Sequence, residues 1–98
     1  MTEWTDGAVE QLDWAREYTR VSNNEEIARR VVDRILSSVE QLARFPMSGR
    51  PGRISGTREF VISKTPFIAA YTVQETRIVV LAIYQRRATL AGRVVKES

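Results

Sequence analysis

Ile27, Val31, Ile35, Val39 and Leu42 recur every three or four residues, with Val32, Leu36 and Ala43 flanking them. Arg29, Arg30, Asp33, Arg34 and Glu40 fall between them. At 3.6 residues per turn the first set gathers on one face and the second on the other, so the spacing predicts an amphipathic helix. Such a helix must bury its stripe against something. Upstream, Ala8, Leu12, Ala15 and Tyr18 or Thr19 repeat at the same spacing and predict a shorter helix, with Thr5 as its N-cap. Trp14 falls off that stripe, at the helix edge. The segment VSNNEE interrupts the pattern, and both Ser22 with Glu25 and Asn23 with Glu26 fit a capping box for the second helix. So short a connection implies an antiparallel helical hairpin, which must end before Pro46.

Downstream the period changes. REFVI, FIAAYTV and RIVVLAIY are rich in aromatic and β-branched residues and read as strands. RIVVLAIY is apolar on both faces, as a central strand would be. QET is short enough to join the last two as a hairpin, and Pro66 sits where a strand can open. Thr2–Thr5 reads as a short first strand, and ATLAGRVV in the tail is compatible with a short helix. The order strand, helix, helix, strand, strand, strand predicts an α+β fold: an N-terminal helical hairpin packed on one face of an antiparallel sheet. The opposite face is left with arginine, lysine, tyrosine and small residues. Residues 1–98 read as a single domain, with 88–98 a basic C-terminal tail.

A domain of this size buries about two-thirds of the surface its unfolded chain exposes, so it has little stability to spare. The chain has no cysteine, which excludes disulfides and thiolate metal sites, and no histidine, the commonest general base near neutral pH. No cofactor and no metal are expected. The acidic start MTEWTDGAVE does not read as a signal peptide, and no apolar run approaches the roughly 18 residues of a membrane helix. A cytoplasmic protein without a membrane partner is the expectation.

The net charge of +3 conceals a division. Residues 1–43 carry five arginines against nine acids, and residues 44–98 carry ten basic residues against three acids. A basic second half points to an acidic partner or a nucleic acid. Its first cluster is Arg50, Arg53 and Arg58, in a connection where solubility alone would not demand arginine. Its second is Arg86, Arg87 and Arg93, with Tyr84 beside it. The guanidinium fork matches phosphate or carboxylate oxygens and keeps its charge. Arg58 and Glu59 are equally suited to a local ion pair at the sheet end. Proton transfer has few candidates in this half: Glu59, Lys64, Tyr71, Tyr84 and Lys96, with Tyr71 reading first as core.

Five stretches in order, EWTDGAVEQL, VEQLARFPMSGRPGR, GTREFVI, TPFIAAYTV and IVVLAIYQRR, resemble the RelE/ParE superfamily of bacterial type II toxins over about residues 3–87. The resemblance implies a helical hairpin on a twisted antiparallel sheet, and a cognate antitoxin that wraps the toxin and blocks it. RelE-like members cut mRNA in the ribosome, whereas ParE-like members poison DNA gyrase and are not nucleases. The two lysines of the RelE-like pattern align with Glu59 and Val61, and its strand arginine with Ile68. Only its last arginine finds a match, at Arg87. The run GRPGRISGTREFVI with TPFIAAY is closer to ParE. The resemblance therefore implies a gyrase inhibitor that engages its partners through Arg50, Arg53, Arg58, Tyr84, Arg86, Arg87 and Arg93. The alternative is a ribosome-dependent mRNA endonuclease using Arg53, Arg58, Tyr84, Arg86 and Arg87.

Overall fold

The structure, a computed structural model, describes residues 2–86 and the backbone of two short strands beyond them. The first helix, α1, spans Asp6–Ser22. Thr5 is extended, and its hydroxyl accepts from the Ala8 N–H at 3.1 Å while donating to the Leu81 carbonyl at 3.2 Å. One side chain thus starts the helix and ties it to the sheet. The second helix, α2, spans Glu25–Arg44. Its cap is neither Ser22 nor Asn23 but Asn24, whose Oδ1 accepts from the Ile27 N–H at 2.9 Å. Ser22 is still inside α1 with its hydroxyl on the Tyr18 carbonyl, and Asn23 closes α1 by donating its N–H to Thr19. Only Asn24 has the extended backbone that aims a side chain at the new helix.

The sheet has five strands in the order β1-β5-β4-β3-β2: β1 Thr2–Trp4, β2 Arg50–Pro51, β3 Arg58–Val61, β4 Phe67–Gln74 and β5 Arg77–Gln85. β2 to β5 pair antiparallel, but β1 runs parallel to β5, with Thr2 opposite Ile78 and Trp4 opposite Val80. The sheet is therefore mixed, not purely antiparallel. No tight turn joins β1 to β5; every other element of the sheet and both helices lie between them, so a parallel pairing is open to them. β1 also covers one side of β5, which makes β5 the central strand its two-sided apolar sequence predicted.

One face of the sheet is covered by the helices. Ala28, Val31, Ile35, Val39 and Leu42 of α2 are buried, together with Ala8, Ala15 and Thr19 of α1. Thr19, not Tyr18, completes the α1 stripe, with its hydroxyl donating to the Ala15 carbonyl at 2.8 Å. Leu12 and Ile27 are only partly buried at the margin. The sheet contributes Phe67, Ala69 and Tyr71 from β4 and Ile78, Val80 and Ile83 from β5. The step from Val80 to Ile83 breaks the period of two because a bulge falls there. Ala70 pairs with Ala82 and Tyr71 with Val80, so Leu81 has no partner of its own in β4.

The Pro46–Thr57 connection is more ordered than its glycines and prolines suggest. Pro46–Ser48 forms a 3-10 turn, and Arg50–Pro51 adds a two-residue edge strand. In the tail, the backbones of Thr89–Leu90 (β6) and Arg93–Val94 (β7) pair antiparallel, where the sequence was compatible with a short helix. Threonine and valine favour that extended backbone.

Candidate functional site

Register decides which basic residues can work together, because directly opposed residues share a face. Glu59 stands opposite Ala70 and Arg50, and Ala70 stands opposite Ala82. These residues lie on the face turned away from the helices. Arg58 stands opposite Tyr71, on the helix-covered face. The sequence cluster Arg50, Arg53 and Arg58 is therefore split by β3.

On the open face, Glu59 is only 8% exposed. Its Oε1 lies 3.6 Å from an Arg50 terminal nitrogen, and its Oε2 lies 4.0 Å from Arg53 Nε and 3.5 Å from the Arg53 backbone nitrogen. The lone acid of the arginine-rich stretch thus holds two of its arginines. Both arginines remain largely exposed, so these contacts orient them more than they stabilise the fold.

Behind Arg53 and Glu59 the open face hollows into a concavity of about 290 Å³. Its floor is Ala70, Ala82 and Leu81, and Tyr84 and Ile54 stand at its sides. Small side chains on adjacent strands make the hollow, and the bulge adds Leu81 to it. The open face was expected to be basic and is instead apolar at its centre with charge at its rim. Val61, opposite the nearly buried Ile68 across β3 and β4, continues the apolar surface. Tyr84 is half-buried opposite Ile68.

Arg58 has a different setting. Its guanidinium donates to the Gly49 carbonyl and is partly buried. The Gly49 N–H in turn donates to the Tyr71 hydroxyl at 2.9 Å, and that hydroxyl donates to the Pro46 carbonyl at 2.6 Å. Tyr71 is fully buried, so it serves the core and pins the connection from beneath. Arg86 is exposed just after β5, its N–H donating to the Pro66 carbonyl at 2.6 Å. Arg87 and the Arg93 side chain lie outside the described residues.

The structure also brings forward groups the sequence did not single out. Trp14 stacks on Tyr18 with ring centroids 5.0 Å apart and meets Phe67 edge-on at 6.4 Å. Both residues of the stack are substantially exposed, as are Phe45, Met47 and Ile54. Residues 14 and 18 are one turn apart, a signal present in the sequence once the helix register is known. Among the described residues, no helix is long and apolar enough to cross a membrane.

Residues 2–89 match the family described as the ParE toxin of type II toxin-antitoxin system, parDE. A Sinorhizobium fredii protein named "Putative toxin Y4kP" is 43% identical over 70 residues, which cover 71% of this chain and 72% of that one. The structure resembles the chromosomal ParDE TA system from P. aeruginosa with a TM-score of 0.79 at 28% identity, over 87% of this chain and 94% of the other. It shares its fold with the toxin-antitoxin complex RelBE2 from Mycobacterium tuberculosis, at a TM-score of 0.64 and 18% identity over 88% and 96% of the two chains.

Proposed function

The chain belongs to the ParE toxin family of type II toxin-antitoxin systems, and on that premise we propose that it arrests growth in the cytoplasm by binding DNA gyrase and is neutralised by a cognate antitoxin. One observation carries the choice of gyrase over mRNA. Of the four charged positions of the RelE-like pattern only the last is matched, at Arg87; the other three are here Glu59, Val61 and Ile68, and all three lie on the open face. Glu59 puts a carboxylate where an mRNA phosphate would need a cation, and it offsets part of the charge of Arg50 and Arg53 beside it. Ile68 is 4% exposed and offers no charge at all. A binding surface, by contrast, needs no proton-transfer group. An apolar hollow rimmed by Arg50, Arg53 and Tyr84 suits the anchor side chains of a protein partner. The likeness to a ParDE toxin-antitoxin system supports the antitoxin.

Brief expression followed by two assays tests this reading. Purified chain should inhibit supercoiling by gyrase, and mRNA under translation should remain intact. Cleaved mRNA with unimpaired supercoiling would overturn it. The nuclease reading is favoured by one feature, the presence of Arg53 and Tyr84 on the same hollow. A nuclease using the Tyr84 hydroxyl as acid or base would lose about 100- to 10,000-fold activity in Tyr84→Phe. A gyrase binder should keep most of its toxicity.

A further inference from the structure

The groove beside the 3-10 turn shares Thr57 with the open-face hollow but is otherwise lined by different described residues. It lies on the other side of β3 and has a volume of about 320 Å³. Met47, Pro51 and Val73 give it apolar walls, Thr57 is at its edge, and Arg58 is the one cation among the described residues that line it. The Arg58 guanidinium is partly buried and spends a donor on the Gly49 carbonyl. Among the described residues, no carboxylate pairs with it. Glu59, next in sequence, is turned to the opposite face and engaged with Arg50 and Arg53. Arg77, past the end of β4, is held by Glu3 at 2.9 Å and by Gln74. Arg58 is thus a half-desolvated cation in an apolar recess with no counter-ion among the described residues, although an acid stood one residue away.

A guanidinium so placed has lost part of its hydration without gaining an ion pair. It keeps unspent N–H donors in a planar fork that fits a carboxylate in two-point fashion. Met47 at the mouth is 66% exposed, and Phe45 nearby is 54% exposed. Exposed apolar side chains around a recessed arginine are the composition of a protein-protein hot spot. A nucleic acid strand fits less well, since it neutralises its phosphates on a track of several cations and this recess holds one.

We infer that this groove receives an acidic side chain of the antitoxin, an aspartate or glutamate flanked by an apolar residue that packs on Met47 and Val73. The inference rests on the toxin-antitoxin reading above. It places a second contact on the side of β3 opposite the hollow, so the partner must pass around the Pro46–Thr57 connection.

The test uses the purified cognate antitoxin and measures its dissociation constant by calorimetry. Arg58→Gln should loosen the complex at least about 30-fold, as expected when one member of a buried charge pair is removed. Arg58→Lys keeps the charge but not the fork and should recover only part of that loss. One Asp→Asn or Glu→Gln change in the antitoxin should match the loss and add nothing to it in combination, the mark of a direct pair. Because Arg58 also holds Gly49, a second variant leaves it in place. Met47→Glu, at an exposed site, supplies Arg58 with a carboxylate from within the chain and should weaken binding about tenfold or more. Folded Arg58→Gln and Met47→Glu proteins that bind as wild type does would overturn the groove while leaving the toxin-antitoxin reading standing. A wild-type chain that forms no complex would overturn both. An Arg58→Gln effect confined to a single-stranded 20-mer oligonucleotide, with antitoxin binding unchanged, would overturn the assignment to a protein acid.

Discussion

Tyr71 is a tyrosine at a site where the ring alone would fill the core. Its hydroxyl accepts from Gly49 and donates to Pro46, so it satisfies two backbone groups of the connection at once. Tyr71→Phe keeps the packing and orphans both groups, and should cost about 1–3 kcal/mol in urea denaturation. Gly49 is required by the same contact. Its backbone is extended, so the constraint is space: a Cβ there would lie 2.6 Å from the Tyr71 hydroxyl and 2.9 Å from the Glu59 carbonyl. Gly49→Ala should therefore destabilise by about 1–3 kcal/mol through overpacking, read as a lowered melting temperature. Neither role was visible in the sequence, because each depends on a neighbour more than twenty residues away. Glu59 was more legible. It is the single acid among the three arginines of the Pro46–Val61 segment, and it pairs with two of them.

The helices were legible because their stripes follow from local periodicity. Ile35, at the centre of the α2 stripe, has no exposed surface. Ile35→Ala should cost about 2–5 kcal/mol, and an unchanged melting curve would refute the register. The caps were harder to place, since three consecutive polar residues could each begin a helix. Asn24→Ala should cost about 0.5–2 kcal/mol, whereas Asn23→Ala should cost little, because its backbone and not its side chain closes α1. The strands were located by composition, but their pairing was not. The bulge at Leu81 and the two-residue β2 are set by tertiary fit, which no local pattern reports. That is why Arg58 was grouped with Arg50 and Arg53: three nearby arginines look alike until the register of β3 assigns them faces.

Across the molecule, the described part of the basic half does not make one uniform basic face. It makes an apolar hollow with charged margins on one side and a recessed arginine on the other. Exposed charges such as Arg50 and Arg53 govern encounter more than affinity. Association with an acidic antitoxin should therefore slow as salt is added while dissociation changes little, which stopped-flow measurement can check. An association rate indifferent to salt would show that these arginines do not steer. The parallel seat of β1 beside β5 has a consequence of another kind, in the timing of folding. Thr2 waits for Ile78, and the Thr5 hydroxyl for Leu81, so the sheet cannot close while a nascent chain ends short of them. The helical hairpin, made of local contacts, can form first, but non-local pairing is slow to reward its loop-closure cost. A chain halted at residue 76 should be cut readily by protease where the chain extended through Gln85 resists it. The same delay keeps an interrupted translation product from presenting the hollow, whose floor needs Leu81 and Ala82 of the last long strand.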